Sequence, residues 1–283
     1  MMVEYFNFYY FIYIAFAFGL LIGLYLLLRN KSKKISKIVL FSILLSSFIL
    51  HFLKLASEHY QTWMPQAIRT ITPENICAVS VLVFPWFFIS EKKILKDYMF
   101  YMGITSGIGA TFIPIDVISY NAVEFETLRY YFSHILIFVV PLLMVMLKLH
   151  TLDYKRIVKV PFLAYLTLCI ILANEIILTG AGFVHINYLY SNEIRNASLI
   201  FGPLPQIEFV GILFTALTPQ IFLTVPVGAN AGALYYWPII WMIIPFYIYF
   251  CILSLLLSLP FEYKNIKKDI FILKSKISNI KRK

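Results

Sequence analysis

Long apolar runs separated by short polar segments dominate this 283-residue chain. A helix needs roughly 20 apolar residues to cross a bilayer. Seven runs approach that length, at about 6–28, 38–55, 73–89, 98–117, 128–147, 161–183 and 238–260. The pattern therefore predicts an all-α membrane protein that folds as a bundle of about seven transmembrane helices.

Composition agrees with a multi-pass membrane protein. The chain is 61% hydrophobic and 13% charged, whereas a soluble domain has roughly 45–50% apolar and about 25% charged residues. We predict one polytopic bundle over 1–262, located in the cell membrane, and a basic cytoplasmic tail over 263–283. The three cysteines lie inside apolar runs, so we expect neither a disulfide framework nor a CxxC metal pair.

The positive charges predict the orientation of the bundle. The net charge is +10, and 20 of the 24 Lys and Arg fall in 29–37, 92–96, 148–159 and 264–283. This is the positive-inside distribution of membrane proteins, which argues against nucleic-acid binding. Seven spans place all four segments in the cytoplasm, with the N-terminus outside and the C-terminus cytoplasmic. The other four cations are Lys54, Arg69, Arg129 and Arg195.

The stretch at about 206–236 is apolar but interrupted by Pro219 and Pro226. If it crossed the membrane once, the basic tail would lie outside, against the positive-inside distribution. The stretch is therefore predicted to be an outer-side lid or a re-entrant segment that turns near Thr218. Re-entrant backbone at membrane depth has to be covered by protein or water.

The start of the third span carries the strongest candidate chemistry. Glu74, Asn75 and Cys77 occupy its first turns, and such groups usually face a bundle interior or a water-filled cavity. A cysteine becomes a nucleophile when a histidine takes its proton. The topology places His134 of the fifth span best for this role, with His51 of the second span next.

Supporting residues are expected at the same outer end. Asn75, Asn187 or backbone N–H groups at the start of the third span would donate to an oxyanion, and Asp116 would orient a histidine. Alternatives remain open: Cys77 as an inert small hydrophobe, Glu74 as an interfacial residue, or a metal site of His51, His134 and a carboxylate. No HExxH spacing supports a metal, so none is predicted.

The fourth span carries Gly103 and Gly107 at a small-xxx-small spacing. Residues without bulky side chains at this spacing let a second helix approach closely. The pattern predicts a tight helix–helix contact along this face.

Four ordered stretches over about 70–205 resemble the YwaF-type integral membrane proteins. This family of bacterial proteins has eukaryotic relatives proposed to be cysteine-dependent phospholipid acyltransferases. The stretches are Pro73-Glu74-Asn75-Ile76-Cys77-Ala78-Val79-Ser80; the glycine-rich Tyr101-Met102-Gly103 through Pro114-Ile115-Asp116; Arg129-Tyr130-Tyr131-Phe132-Ser133-His134; and Asn187-Tyr188-Leu189-Tyr190 followed by Ser198-Leu199-Ile200-Phe201-Gly202-Pro203-Leu204-Pro205. The chain departs from the family pattern with Asn75 in place of His, with Ala78 in place of Asn, and with the insertion around 206–236.

The resemblance implies a membrane-embedded lipid acyltransferase or transacylase. Cys77 would be the nucleophile and His134 the general base and then acid, with membrane phospholipids as substrates and no soluble cofactor. A different class also fits the residues: a non-enzymatic transporter or lipid-binding protein with Glu74, Glu175 and His51 as its polar lining. A structural or assembly factor that uses the basic tail is a third hypothesis.

Overall fold

A computed structural model describes residues 1–56, 64–188, 198–204 and 207–281. Leu189-Tyr190 and Pro205 of the family-like stretches lie outside the described residues. Nine α-helices occur in the described part: α1 (Phe8–Leu28), α2 (Lys33–Phe52), α3 (Met64–Ile71), α4 (Ile76–Ile89), α5 (Lys93–Phe112), α6 (Phe125–Met146), α7 (Val160–Gly180), α8 (Glu208–Leu217) and α9 (Ile243–Lys281). The predicted all-α membrane bundle is confirmed.

Six helices among the described residues are long and apolar enough to cross a membrane: α1, α2, α5, α6, α7 and α9. They correspond to six of the seven predicted spans. The predicted span at 73–89 is shorter than expected, because α4 begins at Ile76 and has 14 residues. Such a helix rises about 21 Å, less than the roughly 30 Å of a bilayer core.

Polar caps explain where several helices begin. The side chain of Asn7 accepts from Tyr10 N at the start of α1, and that of Ser32 accepts from Ile35 N at the start of α2. Asn75 does the same for α4 by accepting from Ala78 N. These caps satisfy backbone N–H groups that have no partner inside the helix.

Short connections make neighbouring helices antiparallel, so the loops gather at two ends. We call the end that holds the start of α4 and the end of α5 the Cys77 end. The opposite end holds the loops at 29–32, 90–92 and 147–153, and we call it the basic end. Which of the two faces the cytoplasm stays a prediction.

The contact between α5 and α6 forms the centre of the bundle. A Cβ atom at Gly103 would lie 2.5 Å from the Ile137 carbonyl oxygen, and one at Gly107 would lie 2.7 Å from that of His134. Such distances leave room only for glycine, so the predicted close contact is confirmed. Around it, aromatic and aliphatic side chains of α5 and α6 are fully buried, among them Tyr98 and Ile135.

The described residues 207–236 contain no helix long enough to cross a membrane. Helix α8 has 10 residues, which rise only about 15 Å. The chain then reverses, and Thr218 Oγ1 donates to Trp241 O at 2.8 Å. Tyr249 OH of α9 donates to Leu213 O at 2.9 Å, which ties α8 to α9. A second hydrophobic cluster joins this insertion to α4 and α7 through Val79, Leu168, Leu223 and Trp241.

Candidate functional site

Cys77 is the second residue of α4, and the backbone N–H groups of the residues before and after it are both hydrogen-bonded. Asn75 Oδ1 accepts from Ala78 N at 2.8 Å, and Ile76 N donates to Ser198 Oγ at 3.2 Å. Val79 N donates to Asn75 O at 3.0 Å. Of the N–H groups in this first turn, that of Cys77 alone makes no hydrogen bond within the described residues. A helix start with an unused N–H group is suited to an anion.

The Cys77 thiol points toward α5. The thiol interacts with the Ser106 side chain, whose hydroxyl donates to Met102 O at 2.8 Å. The thiol thus lies beside the residue that precedes Gly107 on α5.

His134 lies on α6 in a defined tautomer. Its Nδ1 is 2.8 Å from Tyr130 O, and a carbonyl oxygen can only accept, so Nδ1 carries the proton. The neutral ring then has its lone pair on Nε2, which is the form of a general base. The Tyr130 ring packs against the imidazole at 4.1 Å between centroids, and Tyr130 OH donates to Ala110 O at 3.0 Å.

The turn of α5 at Ser106 and Gly107 contacts both predicted reactive residues. Ser106 meets the Cys77 thiol, while Gly107 lies against the backbone of His134. In the part of the chain that the structure describes, no hydrogen bond joins Cys77 to His134 directly. Catalytic hydrogen bonds are often long in a resting site and tighten when substrate binds. Cys77 and His134 therefore both contact the same turn of α5, but they are not hydrogen-bonded to each other.

Charged groups surround this point at the Cys77 end. Lys54 is 7% exposed and its Nζ donates to Thr70 O at 2.7 Å. Arg129 binds Glu126 Oε2 through two nitrogens, at 2.7 and 3.0 Å. Asp116 interacts electrostatically with Lys54 and Arg129 and lies near the Cys77 sulfur as well. The structure brings Asp116 toward Cys77, whereas the sequence placed it beside a histidine.

Arg69 is the main feature of the site that the sequence argument missed. Its Nη1 lies 3.2 Å from Glu74 Oε2 and its Nε lies 3.0 Å from Glu175 Oε1. Asn174 Nδ2 adds a hydrogen bond to Thr72 Oγ1 at 2.9 Å. These bonds anchor the connection between α3 and α4 to α7. The signal was present, because Arg69 is one of the few cations outside the basic segments.

Two further predicted residues, His51 and Asn187, form hydrogen bonds with groups other than Cys77. His51 is buried and its Nε2 donates to Ile71 O at 3.1 Å, so it supports the same connection. Asn187 is exposed, and its backbone N–H donates to His185 Nδ1 at 3.2 Å. No group of three His, Cys, Asp or Glu suited to a metal ion occurs among the described residues.

Comparison with known proteins identifies a family but no characterised relative. The model of the TMEM164 family, a transmembrane protein family, matches residues 4–226. The match includes every residue of the site described above and ends inside the insertion. No curated protein and no solved structure matches the chain.

Proposed function

This chain belongs to the TMEM164 family, and from the arrangement around Cys77 we propose that it is a membrane-embedded lipid acyltransferase or transacylase. The reaction would pass through a thioester on Cys77. Family membership shows that the chain is a transmembrane protein. The YwaF-type resemblance and the acyl-transfer chemistry are part of the proposal.

One observation carries the proposal. The only first-turn N–H of α4 that makes no hydrogen bond within the described residues belongs to Cys77 itself. A nucleophile whose own N–H is unused can stabilise the oxyanion that forms on the carbonyl it attacks. The Asn75 cap satisfies the Ala78 N–H and, as an ordinary helix cap does, leaves other N–H groups of the first turn unused. At α4 one of these unused groups belongs to the residue that we propose as the nucleophile.

In the proposed reaction each proton moves between Cys77, His134 and the leaving or attacking hydroxyl group. The Cys77 sulfur attacks the ester carbonyl carbon of a phospholipid, and the thiol proton passes to Nε2 of His134. The Cys77 N–H donates to the carbonyl oxygen as it becomes negative. Collapse breaks the ester C–O bond, and the lysophospholipid leaves with the proton from His134. An acceptor hydroxyl then attacks the thioester, its proton passes to His134, and the thiol is restored.

Proton transfer requires Nε2 of His134 to approach the thiol, either directly or through the Ser106 hydroxyl. Ser106 is the group that the thiol contacts in the resting structure. We therefore assign Ser106 a positioning role in the proposed reaction. Asn75, whose Oδ1 caps α4, keeps its amide Nδ2 as a second candidate donor for the oxyanion.

The polar lining invoked by the alternative function has partners within the fold. Glu74 and Glu175 both bind Arg69, and His51 bonds to the Ile71 carbonyl. A transport path through these groups would have to break buried ion pairs, which is costly. For this reason acyl transfer is the function we favour over transport.

The test is acyl exchange by the purified full-length chain in liposomes. The liposomes contain phosphatidylcholine with deuterated acyl chains and unlabelled lysophosphatidylethanolamine as acceptor. We expect deuterated phosphatidylethanolamine by mass spectrometry, and a loss of at least about 10³-fold in Cys77→Ala. Intact-protein mass spectrometry should show a hydroxylamine-sensitive acyl adduct on the wild type.

The chain offers matched controls. Cys169 is exposed on α7 and Cys251 lies on α9, so Cys169→Ala and Cys251→Ala should exchange acyl chains at the wild-type rate. His134→Gln should slow both exchange and adduct formation. Exchange that survives in Cys77→Ala would exclude the thioester mechanism. Absence of both exchange and adduct in the wild type would favour the lipid-binding alternative.

A further inference from the structure

Two adjoining clefts open at the basic end of the bundle. One has a volume of about 250 Å³ and lies between the start of α5 and the loop that follows α6. The other has a volume of about 240 Å³ and lies between the end of α1 and the start of α2. Lys148 and Leu149 line both. Because a water molecule occupies about 30 Å³, each cleft holds a group of several heavy atoms with its hydration.

Six cations line these clefts: Arg29, Lys31, Lys33, Lys93, Lys96 and Lys148. In the described part of the chain none of the six forms an ion pair. One carboxylate, Glu91, lines the first cleft. Six cations against one carboxylate make the two clefts strongly electropositive. We call this six-cation surface the basic cleft.

The helix starts at the basic cleft add to the positive potential. Lys92 at the start of α5 provides no side-chain cap, and the N–H groups of Lys93 and Ile94 have no acceptor within the described residues. Neither α2 nor α5 has an acidic residue in its first turn. Lysines at a helix N-terminus oppose the helix dipole, whereas an anion there is stabilised. An anion in the cleft would offset the repulsion between these lysines and the positive ends of the helix dipoles of α2 and α5.

Two features show that the cleft is built into the fold. Lys148 has φ +55°, a left-handed conformation that costs a lysine energy and places it between the two clefts. His150 is 7% exposed and lines the first cleft, with its Nε2 held at 2.7 Å from Asp97 Oδ1. Arg156 holds the same carboxylate, with Nη2 3.1 Å from Oδ1. The floor of the cleft is thus fixed by a buried network.

We propose that the basic cleft is a binding site for a phosphate-bearing anion, such as the headgroup of an anionic membrane lipid. Lysine and arginine bind phosphate oxygens through charge-assisted hydrogen bonds. The cleft lies beyond the last turn of α4, whereas Cys77 lies in its first turn. The site is about 20 Å from the thiol along that helix, so this proposal does not depend on acyl transfer.

Native mass spectrometry of the full-length chain in neutral detergent tests the proposal. The probes are phosphatidylglycerol, phosphatidylcholine and inorganic phosphate. We expect selective retention of phosphatidylglycerol over phosphatidylcholine. Lys33→Gln/Lys148→Gln should lower that affinity by about tenfold or more, since two charge-assisted contacts are removed. Inorganic phosphate at millimolar concentration either displaces the lipid, which shows that phosphate alone is recognised, or leaves it bound, which shows that the lipid is required.

A control and a second variant keep the result interpretable. Lys264→Gln/Lys268→Gln removes the same charge from α9 outside the cleft and should retain phosphatidylglycerol within about twofold. Lys148→Gly removes one cleft charge at a backbone conformation that glycine prefers, so it should fold normally and still bind less. Wild-type affinity in both cleft variants would overturn the proposal, as would an equal loss in the control on α9.

Discussion

Arg69 and Glu175 form a buried ion pair, with 3.0 Å between Nε and Oε1 and side chains 8% and 0% exposed. The pair links α3 to α7 across more than 100 residues of sequence. The same guanidinium binds Glu74, three residues before Cys77. The start of the helix that carries the thiol is therefore positioned by a distant part of the chain.

Removing one partner of this pair should destabilise the bundle. We expect Arg69→Met to lower stability by about 3–5 kcal/mol, because it removes the hydrogen-bonded positive charge that two buried carboxylates share. The combined change Arg69→Met/Glu175→Leu should recover much of that loss. The measurement is the thermal midpoint in detergent. Lys155→Ala, which breaks an exposed pair with Asp269, is the control and should shift the midpoint little. Equal shifts in Arg69→Met and Lys155→Ala would contradict a structural role for Arg69.

Gly107 should tolerate no side chain. A Cβ there would lie 2.7 Å from His134 O and 2.9 Å from Phe138 Cβ, so Gly107→Ala should cost about 1–3 kcal/mol through overpacking. Gly109 lies on the same helix with nothing within 4 Å of a new Cβ. Gly109→Ala should therefore fold as well as the wild type. Thermal unfolding of both variants decides the matter, and similar midpoints would show that α5 and α6 are not in close contact.

Asn75 substitutions can separate the helix cap from an oxyanion role. Asn75→Asp keeps the oxygen that accepts from Ala78 N and loses the amide donor, so it should fold normally. Asn75→Ala loses the cap and about 1 kcal/mol of stability. If the amide serves the proposed reaction, Asn75→Asp should reduce acyl exchange while its thermal midpoint is unchanged. Full exchange activity in a stable Asn75→Asp would restrict Asn75 to capping.

The insertion should depend on Gly202. This residue has φ +129°, and a Cβ would lie 2.9 Å from the Tyr236 ring. Gly202→Ala therefore combines backbone strain with a steric clash, and we expect faster proteolysis of the insertion. Gly228 has φ +97° with open space around it, so Gly228→Ala carries the strain alone and should be the milder variant. Equal protease sensitivity would mean that Tyr236 does not pack on Gly202.

The hydrophobic pattern predicts most of the fold because a membrane helix has to satisfy its own backbone and match the bilayer in length. Six long helices appear where apolar runs predict them. The start of α4 differs because Asn75 caps the helix, so Pro73 and Glu74 of the predicted span lie before it.

By itself the sequence determined the membrane class, the helix count to within one span, and the two residue types on which the proposed chemistry depends. Apolar length, glycine spacing and charge position are local properties that can be read along the chain. Only the tertiary structure decided that Ser106 meets Cys77, that Tyr130 sets the tautomer of His134, and that Arg69 joins Glu74 to Glu175. Most of these contacts join residues from different helices, and their energies depend on distances of a few ångströms that helix packing alone sets.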